Sequence, residues 1–306
     1  MRKRTRKNPR NKAVSNDFQT ESTMKPRILS LLFLLAANAL ALDPAAEFEL
    51  GRKSLHGDGV KKDVRKAFEL MKSAADQGHA DAMGGVGYFY SNGIAVKKDD
   101  KEALDWFRKG AEKGSPKSML NLGKMLLAGR GVDGGSSDAT TKEGLSWLAK
   151  AADTGLPDAQ AAYGSLFFLG EHGQPKDDAK ALIHLKPAAE SGQPDAMNLL
   201  GVMAENGQGM PQDDAVAKDW FRKAAEAGNA KAQSNLGRLL GPLSEDHPTR
   251  IEAIAWLIVS SGNGEITASK LIEESLPGFK QGEFEEAKLK AVELRKSLAG
   301  QPPSVR

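Results

Sequence analysis

Small and apolar residues return along this chain in a block of about 36 positions. Glycines at 78, 114, 155, 192, 228 and 264 mark the block, at spacings of 36, 41, 37, 36 and 36. Eight positions before each stands Leu70, Trp106, Trp147, His184, Trp220 or Trp256, and three before that Ala67, Ala103, Gly144, Ala181, Ala217 or Ala253. Positions three apart share one face of a helix, so these two columns predict a buried stripe. Small pairs follow them: Ala74-Ala75, Gly110-Ala111, Ala151-Ala152, Ala188-Ala189, Ala224-Ala225 and Ser260-Ser261. A second glycine series, Gly51, Gly87, Gly123, Gly164, Gly201 and Gly237, lies inside helix-like stretches such as AQAAYGSLFF (159–168). An internal glycine costs about 1 kcal/mol of helix propensity against alanine, so its recurrence predicts a packing role. No stretch alternates with the period of a strand. The pattern predicts six units of two helices each between about residues 44 and 264. The near-identical WFRKGAEKG (106–114) and WFRKAAEAG (220–228) are the same second helix in units two and five.

Start and stop signals agree with that division. Asp63, Asp99, Thr140, Asp177, Asp213 and Thr249 precede the second helices as expected N-caps, whose side-chain oxygens can accept first-turn N–H groups. Asp99–Glu102, Thr140–Glu143 and Thr249–Glu252 have capping-box spacing. The closing glycine suits the left-handed conformation that ends a helix. Gly-rich turns such as HGDGV (56–60), AGRGV (128–132) and NGQGM (206–210) join the two helices. Three departures stand out. Unit three carries an insertion, DGGSSDATT (133–141); unit four has His184 in the Trp column and Pro187 inside its second helix; unit six has GPLSEDHPT (241–249) in place of the Gly turn. Proline there is expected to kink or break the helix.

A two-helix unit cannot bury its apolar face alone, whereas stacked units can. The expected fold is all-α: a right-handed α-solenoid of antiparallel helix pairs. Ala82, Gly87, Tyr90, Gly93, Val96, Asp99, Ala103, Trp106, Phe107, Lys109, Ala111 and Gly114 carry a pattern that resembles the Sel-one-like repeat, a relative of the tetratricopeptide repeat. The resemblance covers residues 42–264. It implies a surface that binds protein or peptide partners. Residues 265–306 are expected to cap the stack, through a helix carrying Phe284, Ala287, Ala291, Leu294 and Leu298, with GQPPSVR as a frayed tail.

Charge changes the picture at one end only. The net charge is +3, but residues 1–23 alone carry +5 and residues 24–41 carry +2, which leaves −4 for the rest. The body thus gives no global electrostatic reason to bind nucleic acid. MKPRILSLLFLLAANALA (24–41) has the basic start, apolar run and small-x-small end of an export signal, with cleavage expected before Leu42, after Ala39-Leu40-Ala41, and Ala37-Asn38-Ala39 as the alternative. Its apolar run is shorter than the roughly 20 residues that span a bilayer. A periplasmic or secreted location follows as the expectation, with no stable membrane insertion after cleavage. Residues 1–23 read as a leader outside the translated protein, or alternatively as a basic arm for nucleic acid or anionic membrane. The absence of cysteine removes disulfides, thiolate metal sites and a lipid anchor.

Reactive constellations are missing from the pattern. None of the five histidines (His56, His79, His172, His184, His247) has a neighbour at the H-x-x-x-H spacing that puts two ligands on one helical face. The acidic runs KKDV, KKDD, PKDD and PQDD keep the phase of helix caps, and no phosphate loop or G-x-S-x-G occurs. The expectation is therefore no catalytic residue, no metal and no cofactor; a cell-wall-directed hydrolase, or a cofactor of one, is the rival. In tetratricopeptide-type solenoids the first helix of each unit lines the concave groove. Carried over by position relative to the internal glycine, the resemblance implies Arg52, Tyr88, Lys124, Phe168, Asn198, Glu205 and Arg238 as partner-binding candidates. Leu55, Ser91, Leu127, Ser165, Val202 and Ser234 are their companions in the same columns.

Overall fold

The computed structural model describes residues 43–280 and 282–299; the leader and export signal expected over 1–41, and the tail after 299, lie outside them. Every regular element among the described residues is helical. Six hairpins follow one another: α1 (Pro44–His56) with α2 (Val64–Asp76), α3 (Ala80–Asn92) with α4 (Asp100–Glu112), α5 (Pro116–Leu127) with α6 (Asp138–Asp153), α7 (Pro157–Leu169) with α8 (Asp178–Glu190), α9 (Pro194–Asn206) with α10 (Asp214–Glu226), and α11 (Ala230–Leu240) with α12 (His247–Gly262). Each helix packs on the next in the chain, which gives the α-solenoid that the periodicity predicts. The closing glycines 78, 114, 155, 192, 228 and 264 all have positive φ, between 82° and 95°.

The internal glycines set how closely the two helices of a hairpin approach. A Cβ on Gly201 would stand 2.6 Å from the Phe221 ring, one on Gly87 2.9 Å from Phe107, and one on Gly237 2.7 Å from the Ala253 carbonyl oxygen. No real side chain fits at those distances, so the propensity lost at glycine is exchanged for contact between helix backbones. The core is accordingly small-sided: Ala67, Ala74, Ala103, Ala151, Ala181, Ala188, Ala217, Ala224 and Ala253 are fully buried. Larger residues, Phe89, Leu122, Leu148, Leu185, Leu200, Phe221 and Leu236, complete the buried core within and between hairpins.

Capping follows the expected residues in four hairpins and shifts in two. Asp63, Asp99, Asp177 and Asp213 accept first-turn N–H groups. In unit three the cap is Ser137, and Thr140 is the third helical residue of a reciprocal box with it; in unit six the cap is Asp246, three residues before Thr249. The insertion and the Pro-containing turn let those helices begin one turn earlier. Glu143 and Glu252 consequently do not close capping boxes. Glu143 accepts from the Trp147 indole N–H at 3.3 Å and pairs with Arg108 of the preceding hairpin. Glu252 accepts from Trp256 at 3.3 Å and pairs with Arg222 at 2.5 Å. The shared WFRK peptide thus performs one task twice: its Arg reaches the next hairpin, and its Lys covers its own Trp ring, at 4.2 Å for Lys109 and 4.6 Å for Lys223.

The helix around Pro187 is not broken; α8 runs through it. The carbonyl that loses its donor belongs to Ile183, an exposed residue, so water can replace the missing N–H. His184 packs edge-on to Tyr163, with ring centres 4.9 Å apart, and burial holds its pKa below the usual imidazole value.

After Gly264 come α13 (Ile266–Ser275) and α14 (Glu283–Ala299), which both pack on α12 and do not pair with each other as a hairpin. Ala287 and Ala291 of α14 are buried against α12. Leu294 and Leu298 of α14 also pack on the α12 core, and Arg295 donates to the Ile258 carbonyl at 3.0 Å. Arg250 fastens this end: its guanidinium donates to Glu283 Oε1 at 2.6 Å and to the Ser244 carbonyl. The outward side of α14 carries Glu285, Lys288, Lys290 and Glu293, with Leu289 and Val292 exposed among them.

Candidate functional site

The first helices of successive hairpins run in the same direction and line one face. That face is recessed. A groove of about 750 Å³ crosses it from Lys124 on α5, over Ala161, Ala162, Ser165 and Leu169 on α7 and Asn198 and Leu199 on α9, to Lys231 on α11 and its N-cap Asn229. A second recess of about 300 Å³ continues from Asn198 and Val202 to Ser234 and Asn235, ending at Glu265 and Thr267 beside α13. Asn198 and Lys231 belong to both. The floor is low because α7 presents alanines where its neighbours carry longer side chains. Acidic groups mark the N-terminal edge of the groove: Asp158 and Asp195 stand in the first turns of α7 and α9, where a carboxylate is favoured by the helix dipole. Asn229 donates to Asp195 at 2.7 Å and ties two hairpins along that edge. Among the described residues, no cluster of three or more His, Asp or Glu could hold a metal ion, and no helix is long and apolar enough to cross a membrane.

The Sel1 repeat model matches five consecutive blocks of the chain, at residues 44–79, 80–115, 116–156, 157–193 and 194–229. The chain belongs to the Sel1 repeat family. Its sixth hairpin, α11 with α12, lies beyond the matched blocks but keeps their geometry. A Sel1 repeat protein from Oxalobacter formigenes is 33% identical with a TM-score of 0.62, over 76% of this chain and 65% of that one. An antigen present in uropathogenic Escherichia coli strains, with an SLR fold, is 23% identical over 87% of this chain and 71% of that one, with a TM-score of 0.39. The immunity protein Pa5087 of Pseudomonas aeruginosa is 20% identical over 87% of this chain and 86% of that one, with a TM-score of 0.48. Among curated proteins none matches. Sel1 repeats are typically protein-interaction scaffolds, and this chain is a helical repeat scaffold that spans less than two thirds of the length of the Oxalobacter protein.

Within this Sel1 array the sequence-derived candidates fall into three groups. Lys124 and Asn198, with Ser165, Val202 and Ser234, line the recesses. Asn198 and Ser234 are nevertheless 7% and 4% exposed, and Leu127 is buried at 8%, which corrects the expectation that these columns are open. Arg52, Tyr88, Glu205 and Arg238 lie on first helices outside the two recesses. Arg52 pairs with Glu49 at 3.0 Å and Arg238 with Glu205 at 2.6 Å, whereas Tyr88 is 45% exposed. Phe168 is half-buried in the core between α7 and α9, with Lys176 over its ring at 5.8 Å. Leu55 likewise joins the core of the first hairpin, and Ser91 accepts from Arg130 at 3.3 Å. The sequence reading missed Ala162, Leu199 and Asn235. They form a further column, two positions before the internal glycine, and the same phasing would have identified it.

Proposed function

We propose that this Sel1 repeat protein is an exported, non-catalytic scaffold whose groove over α5, α7, α9 and α11 binds a segment of a partner protein. The supporting observation is the continuous recess, with an alanine floor and a rim of amides and charges, on the face formed by first helices. A site of this kind is largely preformed, and apolar floor with polar rim is the composition that recognition surfaces share. Export rests on the Met24–Ala41 signal pattern. A photo-crosslinking residue placed at Ala162 or Leu199 in native cells is expected to capture a polypeptide; one at exposed Ile183, on a second helix, is not. Equal capture at all three positions, or none at the groove, would sink the reading. The intact mass of a C-terminally tagged copy from fractionated cells tests export: a species beginning at Leu42 outside the cytoplasm is expected, and one retaining residues 1–23 inside it overturns export.

A further inference from the structure

The turn of the first hairpin concentrates positive charge. Residues 52–66 hold Arg52, Lys53, Lys61, Lys62, Arg65 and Lys66 against two acids, Asp58 and Asp63, a net +4 in a body whose net charge is −4. Later hairpins do not repeat this: the corresponding residues 202–216 hold Glu205, Asp213 and Asp214 and no Lys or Arg. Gly57 and Gly59, at φ of 87° and 70°, make the tight turn, and residues 58–63 are all exposed. Asp63 is committed to its helix, where it accepts from the Arg65 and Lys66 backbone N–H groups. Arg52 pairs with Glu49 and Lys101 with Asp133, but Lys61, Lys62, Arg65 and Lys66 pair with no described acid. Neither do Lys97 and Lys98, which hold the place of Lys61 and Lys62 in the second hairpin. Six such cations thus stand along one edge of the array, where two adjacent hairpins turn.

A row of flexible lysines, each a point charge on a long stem, complements an extended anionic surface. A single phosphate is instead gripped by Arg forks or a nest of N–H groups. Two features of this edge choose between anionic surfaces. No Phe, Tyr or Trp occurs in residues 52–66 or 91–101, so nucleotide bases have no platform on which to stack. Val60, 37% exposed, stands in the middle of the exposed run, directly before the two lysines. An apolar side chain gains nothing from a sugar–phosphate backbone. At a bilayer it enters the acyl boundary while neighbouring lysines reach the headgroups. We propose that this edge docks the protein on an anionic lipid surface, with Val60 at the interface and the six cations over the headgroups. The association is peripheral, since no described helix is long and apolar enough to cross a membrane. It uses the turns and not the face formed by first helices, so the groove stays open while the protein is docked.

Residues from Pro44 onward form a compact unit of their own. The protein tested is therefore the chain from Leu42, which lacks the basic leader, with the full chain beside it. Co-sedimentation is measured with vesicles of phosphatidylcholine alone and with about 30% phosphatidylglycerol. Binding is expected only to the second, and it should fall steeply as salt rises above about 0.1 M. Lys61→Gln with Lys62→Gln should weaken it about 25-fold, at roughly fivefold for each charge near such a surface. Lys113→Gln with Lys117→Gln removes the same charge from exposed positions on the opposite edge and should change it less than about twofold. Val60→Ser should weaken vesicle binding about threefold and leave any binding to duplex DNA unchanged. All five positions are exposed, and circular dichroism melts check that each variant folds alike. No binding to the anionic vesicles, equal weakening by the two lysine pairs, or indifference to Val60→Ser overturns the docking edge. Tighter binding to duplex DNA than to vesicles, with the same dependence on Lys61 and Lys62, overturns it in favour of nucleic acid. None of these outcomes bears on crosslinking in the groove.

Discussion

Gly110 and Ser118 illustrate how single residues are matched across hairpins. They stand eight positions apart, the separation of Ala151 from Ala159, Ala188 from Ala196 and Ala224 from Ala232. The Ser118 hydroxyl is fully buried without a hydrogen-bond partner, and it occupies the space where a Cβ on Gly110 would come within 2.4 Å of it. Gly110→Ala is therefore expected to cost about 1–3 kcal/mol by overpacking, less the roughly 1 kcal/mol gained in helix propensity. Ser118→Ala should stabilise by about 1 kcal/mol, since it removes an unsatisfied hydroxyl. The double variant recreates the alanine pair of the other units but keeps a Cβ 2.9 Å from the new one, so it should recover part of the loss and not all of it; urea melts of all four chains give the coupling, and strict additivity would refute the match. His184 gives a pH signature. Burial lowers its folded pKa, and the Asp153 carboxylate opposes this only in part. The unfolded chain thus binds the proton more readily, so stability should be level above an unfolded pKa of about 6.5 and fall as pH drops below it. His184→Phe should remove that dependence in melts between pH 7.5 and 5. The column that His184 occupies was legible in the sequence. The hydroxyl-for-methyl exchange was not, because only the fold brings residue 118 against residue 110.

At the scale of the helix, the chain announces itself through its ends. Asp63, Asp99, Asp177 and Asp213 cap as their spacing predicts, because an aspartate followed by an apolar helix has few better conformations. The two threonines of that column misled for a physical reason: a serine or aspartate one turn upstream offers an equally good cap and a longer helix. Pro187 misled because the penalty for a missing N–H depends on whether the orphaned carbonyl sees water, which no local sequence states. The junction of α12 and α14 depends on the Arg250–Glu283 pair, whose side chains are 10% and 6% exposed. The Lys280 backbone N–H, with Arg250 beside it, holds the Glu283 carboxyl below the usual carboxylate range. Glu283→Ala leaves a buried guanidinium without its counter-ion, a strongly unfavourable arrangement. Hydrogen exchange should then show α14 losing protection while α3 to α10 keep theirs; unchanged protection in α14 would mean that Ala287 and Ala291 suffice to hold it.

At the scale of the whole array, the two glycine columns and the small pairs made the architecture readable, because a repeat states each packing rule several times over. The groove was readable only in outline: the choice of face followed from family resemblance, whereas its deepest point depends on α7 having alanines where α9 and α11 have Leu199 and Asn235. Ending the chain at Gly264 would bare Ile251, Ile254, Ala255 and Val259, which α14 now helps to cover. Such a chain is expected to melt earlier and to self-associate in light scattering, and a monomer of unchanged melting temperature would contradict this. The charged outward side of α14 has a wider consequence. A stack of like modules joined head to tail resembles a growing polymer, in which each added block exposes the docking site for another. Here α14 lies over α12 and turns Glu285, Lys288, Lys290 and Glu293 outward, a largely charged surface unlike the apolar faces that the blocks offer one another.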